Sequence, residues 1–336
     1  MRHINIPIFI PHLGCPNGCV FCNQRSISGR EAFDPAEMER DVEQVLSTVG
    51  ADDEAEIAFF GGSFTGIDRG LMIDLLERAE RFVRTGRVKS IRLSTRPDYI
   101  DSAVLDILSH YSVRTVELGL QSMNDTVLAA SKRGHTAEQG REACRLIKHY
   151  GFSLVGQMMV GLPEADLSSE TMTAEEICRL CADGARVYPT VVFEDTELCE
   201  MAKDGRYHPL TLSDAVERTK EVLKVFDRFG VPCIRVGLCA SENLDSDKVF
   251  GGANHSAVGE LAMGEIFFEK MCRLIEEQGD VRDKVIHFYV PRGAVSRAVG
   301  QKKKNIERIC KKYSPLRVKV LEKNELMSYN IMIAIL

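Results

Sequence analysis

Six apolar, strand-like runs follow one another through the first two-thirds of the chain, and amphipathic helical patterns such as Pro35–Thr48 lie between them. This alternation favours a parallel sheet with helices outside, because each helix returns the chain to begin the next parallel strand. Right-handed crossovers then curl the sheet. We therefore expect an α/β fold built on a partial (β/α)6 barrel of the TIM type. The runs are His3–Pro11, Glu56–Gly61, Ser90–Thr95, Thr115–Gln121, Ser153–Gly161 and Arg186–Phe193.

The pattern changes in the last third of the chain. A helical pattern covers Gly259–Gln278, and a strand–helix–helix–strand order begins near Val281. A final apolar segment, Tyr329–Leu336, reads as another strand. We therefore expect three regions: the barrel core at 1–235, a linking helical segment at 236–280 and a small α+β module at 281–336.

The composition is typical of a soluble globular protein, with 44% hydrophobic and 27% charged residues. No apolar run approaches the roughly 20 residues of a membrane span. The apolar start Ile4–Ile10 is broken by Pro7 and lacks a small-residue cleavage site, so we read it as a strand and not a signal peptide. We accordingly expect a cytoplasmic location, no membrane partner and no disulfide framework for the 11 cysteines.

The charge is distributed unevenly. From Arg292 to Lys319 there are ten basic residues and one acid, Glu307, so this stretch carries +9. The whole chain carries -6, which leaves -15 on the rest. An acidic body with a basic C-terminal stretch indicates a polyanionic partner for the tail.

Unusual residues follow five of the predicted strands. Active sites of TIM-type barrels lie at the carboxyl ends of the strands, so these residues are expected to meet there. They are the cysteines after the first strand, Gly61-Gly62-Ser63 after the second, Ser94–Asp98 after the third, Gln121-Ser122 at the end of the fourth and Gly161–Glu164 at the end of the fifth.

The only clustered cysteines are Cys15, Cys19 and Cys22, in the spacing C-x3-C-x2-C. Thiolates are soft ligands that suit an iron–sulfur cluster or zinc. A structural zinc site needs four ligands in a closed tetrahedron, and nearby His12 is the candidate for the fourth. Three thiolates on a 4Fe-4S cluster would instead leave one iron open to another ligand. Gly18 lets the loop wrap a cluster without a side-chain clash.

This spacing, with the aromatic Phe21 before the last cysteine, resembles the radical S-adenosylmethionine (SAM) superfamily. The resemblance implies that Cys15, Cys19 and Cys22 hold a 4Fe-4S cluster whose open iron chelates the amino and carboxylate groups of SAM. It further implies reductive cleavage of SAM to a 5′-deoxyadenosyl radical, which abstracts a hydrogen atom from substrate. A protein electron donor such as flavodoxin or ferredoxin is then an expected partner.

The resemblance also assigns SAM contacts, each with a structural alternative. Gly61 and Gly62 would admit the methionyl amino group or simply form a tight turn. Gln157 would bind the ribose or serve as an ordinary strand residue, and Arg133 would clamp the SAM carboxylate or lie exposed at a helix end. The full set of expected cofactor contacts is Phe21, Gly61, Gly62, Ser63, Ser94, Gln121, Arg133, Gln157 and Gly161; the catalytic residues remain unassigned.

Further motifs narrow the resemblance to the radical SAM core of the Elongator catalytic subunit family, which works on wobble uridines of tRNA. It covers about residues 5 to 215 and is carried by Ser94–Asp98, Lys132–Thr136 and Val187–Thr190. The coproporphyrinogen oxidase group resembles the chain more loosely. The Elongator subunit has a longer first cysteine spacing, a glutamate where Ser94 stands and a following acetyltransferase domain. The roughly 120 residues here are too few and wrongly patterned for that domain, so we carry over the fold, the cluster and SAM cleavage, and leave the product open.

The tail segment Ala298–Ile309 resembles the helix–loop–helix of a KH domain, whose Gly-x-x-Gly loop clamps the backbone of four nucleotides. The first glycine is Gly300, and Lys303 replaces the second. Lys302, Lys303 and Lys304 can neutralise phosphates as point charges. We expect these four residues to bind RNA, and the alternative is a solvated basic face.

Three functions follow as hypotheses. The first is a radical enzyme that modifies a tRNA-like RNA, which its basic tail binds. The second is a radical enzyme acting on a small metabolite or tetrapyrrole, with the tail as a lid or a dimer surface. The third is a non-catalytic iron–sulfur protein that binds SAM.

Overall fold

The computed structural model describes residues 2–10, 14–15, 18–22, 33–50, 52–238, 248–315 and 317–336. No helix in these ranges has the length and apolar composition needed to cross a membrane. The strands are β1 (His3–Ile10), β2 (Glu54–Gly61), β3 (Ser90–Thr95), β4 (Val113–Gln121), β5 (Ser153–Val160), β6 (Gly184–Pro189), β7 (Val191–Phe193), β8 (Cys233–Val236), β9 (Val249–Gly252), β10 (Val285–Val290), β11 (Arg317–Glu322) and β12 (Met332–Ile335). The helices are α1 (Pro35–Leu46), α2 (Arg69–Arg84), α3 (Ser102–Ser109), α4 (Asp125–Ala130), α5 (Ala137–His149), α6 (Leu167–Arg179), α7 (Glu197–Lys203), α8 (Leu212–Phe229), α9 (Val258–Gln278), α10 (Val295–Val299) and α11 (Lys304–Tyr313).

A seven-stranded parallel sheet dominates the fold, in the order β1-β2-β3-β4-β5-β6-β8. The α/β class and the partial barrel expected from the sequence are confirmed, and the sheet has one strand more than the six predicted. The extra strand, β8, pairs with β6 and crosses residue 235, where the sequence analysis ends the core. It is four residues long and lies at the sheet edge, so it lacks the long apolar run by which buried parallel strands are found.

The predicted sixth strand, Arg186–Phe193, is in fact two elements. The ladder with β5 ends at Pro189, and the Thr190 N–H makes the last bond to that strand, on the Val160 carbonyl at 2.8 Å. The chain then turns, and β7 pairs antiparallel with β9 in a separate two-stranded ribbon. This ribbon lies at the carboxyl end of the barrel and beside the cysteine loop, where Val192 packs against Val20.

The main core lies between the sheet and its outer helices. The middle of β2 is buried without interruption, as expected for a parallel strand covered on both faces. Met72, Leu75 and Leu76 give α2 an apolar face against it. Side-chain caps set where helices begin: Asp68 accepts from the Leu71 N–H, and Thr136 forms a capping box with Gln139.

A second sheet forms near the C-terminus, with β10 between parallel β11 and antiparallel β12. One face of this sheet packs on α9, α10 and α11, around Phe267, Phe288 and Ile309. The last strand, β12, is shorter than the apolar segment Tyr329–Leu336 that predicted it. The strand–helix–helix–strand order expected after Val281 is present.

Candidate active site

The cysteine loop follows β1 and is held in place between its cysteines. The buried Val20 donates its N–H to the Ser131 carbonyl at 3.3 Å and accepts from the Leu198 N–H at 2.8 Å. The Cys22 N–H closes a turn on the Cys19 carbonyl at 3.0 Å. Backbone hydrogen bonds to the end of α4 and to the first turn of α7 therefore fix the segment that carries Cys19 and Cys22.

The three thiols have different surroundings. The Sγ of Cys15 lies 3.4 Å from the hydroxyl of Ser63, in the glycine turn after β2. Cys19 is buried among arginines, and Cys22 is exposed at the wall of the central cavity. His12, the fourth ligand in the zinc interpretation, lies outside the described residues.

The glycine turn after β2 interlocks with the cysteine loop. The Gly62 N–H donates to the Ile10 carbonyl at 2.8 Å, and Gly61 takes a φ of 105° with no room for a Cβ beside that carbonyl. A Cβ on Gly14, whose φ is 72°, would lie 2.2 Å from the Ser63 carbonyl oxygen. Only glycine allows this approach, so Gly14 is a site-forming residue that the sequence analysis did not single out.

A cavity of about 450 Å³ opens inside the barrel beside Cys22. Aromatic side chains form much of its wall, while polar and charged side chains from β4, β5, β6 and β8 also face it. Six residues named from the sequence line it: Phe21, Cys22, Gly61, Ser94, Gln121 and Gln157. The neighbouring wall includes Phe9, Phe60, Tyr188, Phe193 and Arg235.

Glu117 organises the polar side of this cavity. Its fully buried carboxylate accepts from Arg92 at 2.8 Å and from Arg186 at 2.9 Å. It also accepts from the Gln157 Nε2 at 2.8 Å, and that amide lies 3.3 Å from the hydroxyl of Ser94. Since a carboxylate only accepts, the bond directs the Gln157 NH2 towards Glu117 and leaves the amide oxygen as an acceptor for a ligand.

Among the residues that the structure describes, Arg133 and Gln121 each have a buried polar atom without a hydrogen-bond partner. Arg133 is 5% exposed, so the exposed helix-end interpretation is excluded. It donates to the Cys19 Sγ at 3.2 Å and to the Gly119 carbonyl at 2.6 Å, while its Nε has no partner. Gln121 has a left-handed φ of 66° at a bulge in β4, and its amide oxygen is also unpartnered.

Gly161 does not line the cavity. Its N–H donates to Glu170 and its carbonyl accepts from the Tyr207 hydroxyl, both at 2.6 Å. A Cβ on it would lie 2.6 Å from the Leu210 side chain. Gly161 thus shapes the turn after β5, and its N–H and its carbonyl are both engaged with protein groups.

No site role was predicted for Arg96 and Asp98, two charged residues at this rim, although both lie in the Ser94–Asp98 motif. Arg96 is 4% exposed and forms a two-bond pair with Asp98, at 2.9 Å each. His135 is buried nearby, and burial together with the charge of Arg133 lowers its pKa to about 4. Only tertiary structure shows that these side chains turn inward.

The basic loop of the tail is separate from the cavity. Lys302, Lys303 and Lys304 are exposed, and the first two take left-handed φ values of 51° and 64°. Gly300 is partly buried at the end of α10, where a Cβ would lie 2.9 Å from Asn305. The loop is therefore a protruding turn whose lysines face solvent.

Part of the basic charge of the tail is used inside the protein. Arg297, Arg308 and Lys312 pair with Glu260, Glu265 and Glu276 on α9, at 2.7 to 3.0 Å. Three of the ten basic residues counted in the sequence thus dock the module on its neighbouring helix, and the charge left for a partner is smaller than +9.

With this geometry established, comparison with known proteins defines the class. A family model described as the radical SAM superfamily matches residues 9–177, and one described as the radical SAM C-terminal domain matches residues 182–266. The chain belongs to the radical SAM superfamily, and it is an enzyme of that class.

The similar proteins lie in the Elongator group, as the motifs predicted. A tRNA uridine(34) acetyltransferase of Methanocaldococcus jannaschii is 26% identical over 74% of this chain and 52% of its own length. Elongator complex protein 3 of Homo sapiens is 32% identical over 52% of this chain and 32% of its own length. The solved Elp3 of Methanocaldococcus infernus has a TM-score of 0.63 at 22% identity, covering 80% of this chain and 63% of that one, which supports the fold. The chain spans about half or less of the length of these curated relatives.

Radical SAM enzymes use a 4Fe-4S cluster and SAM, and the rim of the barrel fits both. Three thiols on one short loop suit iron, which prefers soft ligands. Buried polar atoms are normally hydrogen-bonded, so the unpartnered atoms of Gln121 and Arg133 indicate a polar ligand. The adjoining cavity, with a volume of about 450 Å³, has room for such a ligand.

Proposed function

We propose that Cys15, Cys19 and Cys22 hold the 4Fe-4S cluster of this enzyme, that SAM binds in the adjoining cavity, and that the substrate is RNA. The observation that carries the first two parts is the convergence of the cysteine loop, the glycine turn and the cavity at one rim. The RNA substrate is supported by the names of the relatives and by the exposed lysine loop.

Bound together, the cluster and SAM supply a 5′-deoxyadenosyl radical that removes a hydrogen atom from the substrate. The protein binds, orients and excludes water. The turn at Gly61 and Gly62 leaves space for the amino-acid end of SAM, and the guanidinium of Arg133 offers its free Nε to the carboxylate. The amide oxygen of Gln157, fixed by Glu117, accepts from a ribose hydroxyl. The aromatic wall keeps water from the reacting atoms.

The RNA would reach the rim while the tail holds its backbone. In this proposal the turn after Gly300 acts like a KH loop, in which Lys302, Lys303 and Lys304 contact phosphates. A flavodoxin or ferredoxin would deliver the electron. Since the relatives extend well beyond the matched region, we leave the group added to the RNA undefined.

Iron and sulfide analysis with SAM cleavage tests the first part. Cys19→Ala should lose the cluster and with it the formation of 5′-deoxyadenosine under dithionite, because one of three ligands is gone. Cys310→Ala, which changes an exposed thiol on α11, is the matched control and should keep both. Full iron and sulfide in Cys19→Ala would refute the ligand assignment.

RNA binding across a salt series tests the third part, the RNA substrate. Replacing Lys302, Lys303 and Lys304 with alanine should weaken binding and reduce the slope of log affinity against log salt by about 2, at roughly 0.7 per single-strand phosphate. A variant with Lys89, Lys148 and Lys224 replaced loses the same charge elsewhere and should keep the slope. Equal behaviour of the two variants would make the loop a solvated face and favour a small-molecule substrate.

A further inference from the structure

Arg96 lies in the Ser94–Asp98 motif, and none of the roles above uses it. Its guanidinium is buried at the carboxyl end of β3 and reaches three different segments. It pairs with Asp98, donates to the carbonyl of Arg133 and points its Nη1 at the Cys19 Sγ, 3.7 Å away. One side chain therefore ties the third strand to the cysteine loop and to the turn after α4.

The charges around Cys19 do not cancel. Arg96 and Arg133 both direct a guanidinium nitrogen at its sulfur, at 3.7 and 3.2 Å. Asp98 is the only carboxylate that forms an ion pair with either arginine within the described part of the chain. Two positive charges and one negative charge leave a net +1 beside this thiol, in a buried place where water screens charge weakly.

We propose that Arg96 is a positioning residue for the iron–sulfur cluster, which holds the Cys19 sulfur in place and raises the reduction potential of the cluster through its charge. One-electron reduction, by dithionite or a protein donor, adds one negative charge to the cluster. A fixed positive charge nearby stabilises that reduced form, and hydrogen bonds to the ligand sulfurs act in the same direction. The proposal rests on the proposed assignment of Cys19 as a cluster ligand.

In this proposal Arg133 contacts SAM, whereas Arg96 contacts only the protein and the cluster. Within the described residues Arg133 has an Nε without a partner, available for the carboxylate of SAM, whereas Arg96 directs its guanidinium at Asp98, the Arg133 carbonyl and Cys19. Removing Arg96 should therefore change the potential even when SAM is absent. The same measurement without SAM separates an effect on the cluster from an effect on cofactor binding.

The test uses anaerobically reconstituted protein, its iron and sulfide content, and a redox titration followed by electron paramagnetic resonance without SAM. Arg96→Gln should shift the midpoint potential to a more negative value. Asp98→Asn removes the compensating negative charge and should shift it to a more positive value. Arg96→Lys keeps the charge and should stay near wild type, and Arg141→Gln, at a surface pair on α5, is the control for losing any arginine.

Opposite shifts in Arg96→Gln and Asp98→Asn support the proposal. Unchanged potentials, or shifts of the same sign, overturn it and leave Arg96 as a structural brace. If Arg96→Gln loses its iron, Asp98→Asn decides the charge effect alone: a positive shift supports it, and no shift overturns it. A wild-type protein that binds no cluster would instead refute the cysteine assignment, so the two failures are distinct.

Discussion

His135 provides a measurable link between pH and the stability of the active-site rim. The ring is 5% exposed, and its Nδ1 lies 3.2 Å from the Thr136 carbonyl, which can only accept. The Nδ1 therefore carries the proton, and the buried Nε2 has no hydrogen-bond partner in the part of the chain that the structure describes. Burial first, and then the charge of Arg133, lowers the pKa of His135 from 6.5 to about 4.

The sign of the effect follows from the two states. Between pH 6.5 and 4 the unfolded chain binds a proton at this histidine, whereas the folded chain does not. Stability contributed above pH 6.5 is therefore lost as the pH falls, and the loss is complete below about pH 4. A shift of this size corresponds to about 3 kcal/mol in total, and to about 2 kcal/mol on going from pH 8 to pH 5.

Urea unfolding of the cluster-free protein, under reducing conditions at pH 8 and pH 5, measures this difference. His135→Gln removes the titrating group, so its stability should change by about 2 kcal/mol less than wild type over the same interval. His110→Gln, at an exposed ring, should follow wild type. Parallel pH profiles for wild type and His135→Gln would refute the reasoning.

Three further substitutions test the packing around the site. Gly14→Ala should lower iron content after reconstitution, because its Cβ meets the Ser63 carbonyl, while Gly86→Ala has a similar positive φ in open space and should not; equal iron in both would contradict this. Glu170→Gln should cost about 3 kcal/mol in urea unfolding, because it removes a buried carboxylate and leaves the partly buried charge of Arg218 unpaired, against less than about 1 kcal/mol for the more exposed pair in Glu176→Gln. Asn305→Ala removes a buried amide that donates to two carbonyls and should cost about 1–3 kcal/mol, whereas the exposed Asn324→Ala should be neutral; equal effects would show that these bonds do not matter.

The sequence predicted the buried strands well because burial on both faces leaves a continuous apolar run. β3 has the predicted bounds, and other strands differ by a few residues. The failures lie where that signal weakens. β8 is a short edge strand, and the strand-like run that holds β6 continues through Thr190 into β7, so the sequence does not show where one strand ends and the other begins.

The sequence predicted which site residues follow each strand, but not how deeply each side chain is buried. Six residues named from the sequence line one cavity because parallel strands present their carboxyl ends on one side. Which arginine turns inward depends on partners distant in the chain, so Arg96 was missed and the burial of Arg133 was left open. The pairs that dock the tail, such as Glu265 with Arg308, join residues 36 to 43 positions apart, which a local charge count cannot reveal.

Helix α9 contributes to two hydrophobic cores at once. Ala262 and Ile266 pack with Leu223 of α8, while Phe267, Met271 and Ile275 pack under the C-terminal sheet. A break in the chain after residue 280 would thus expose an apolar stripe that the barrel cannot cover. The tail therefore covers apolar surface of α9, and a variant shortened at residue 280 would need polar substitutions at Phe267, Met271 and Ile275 to avoid aggregation.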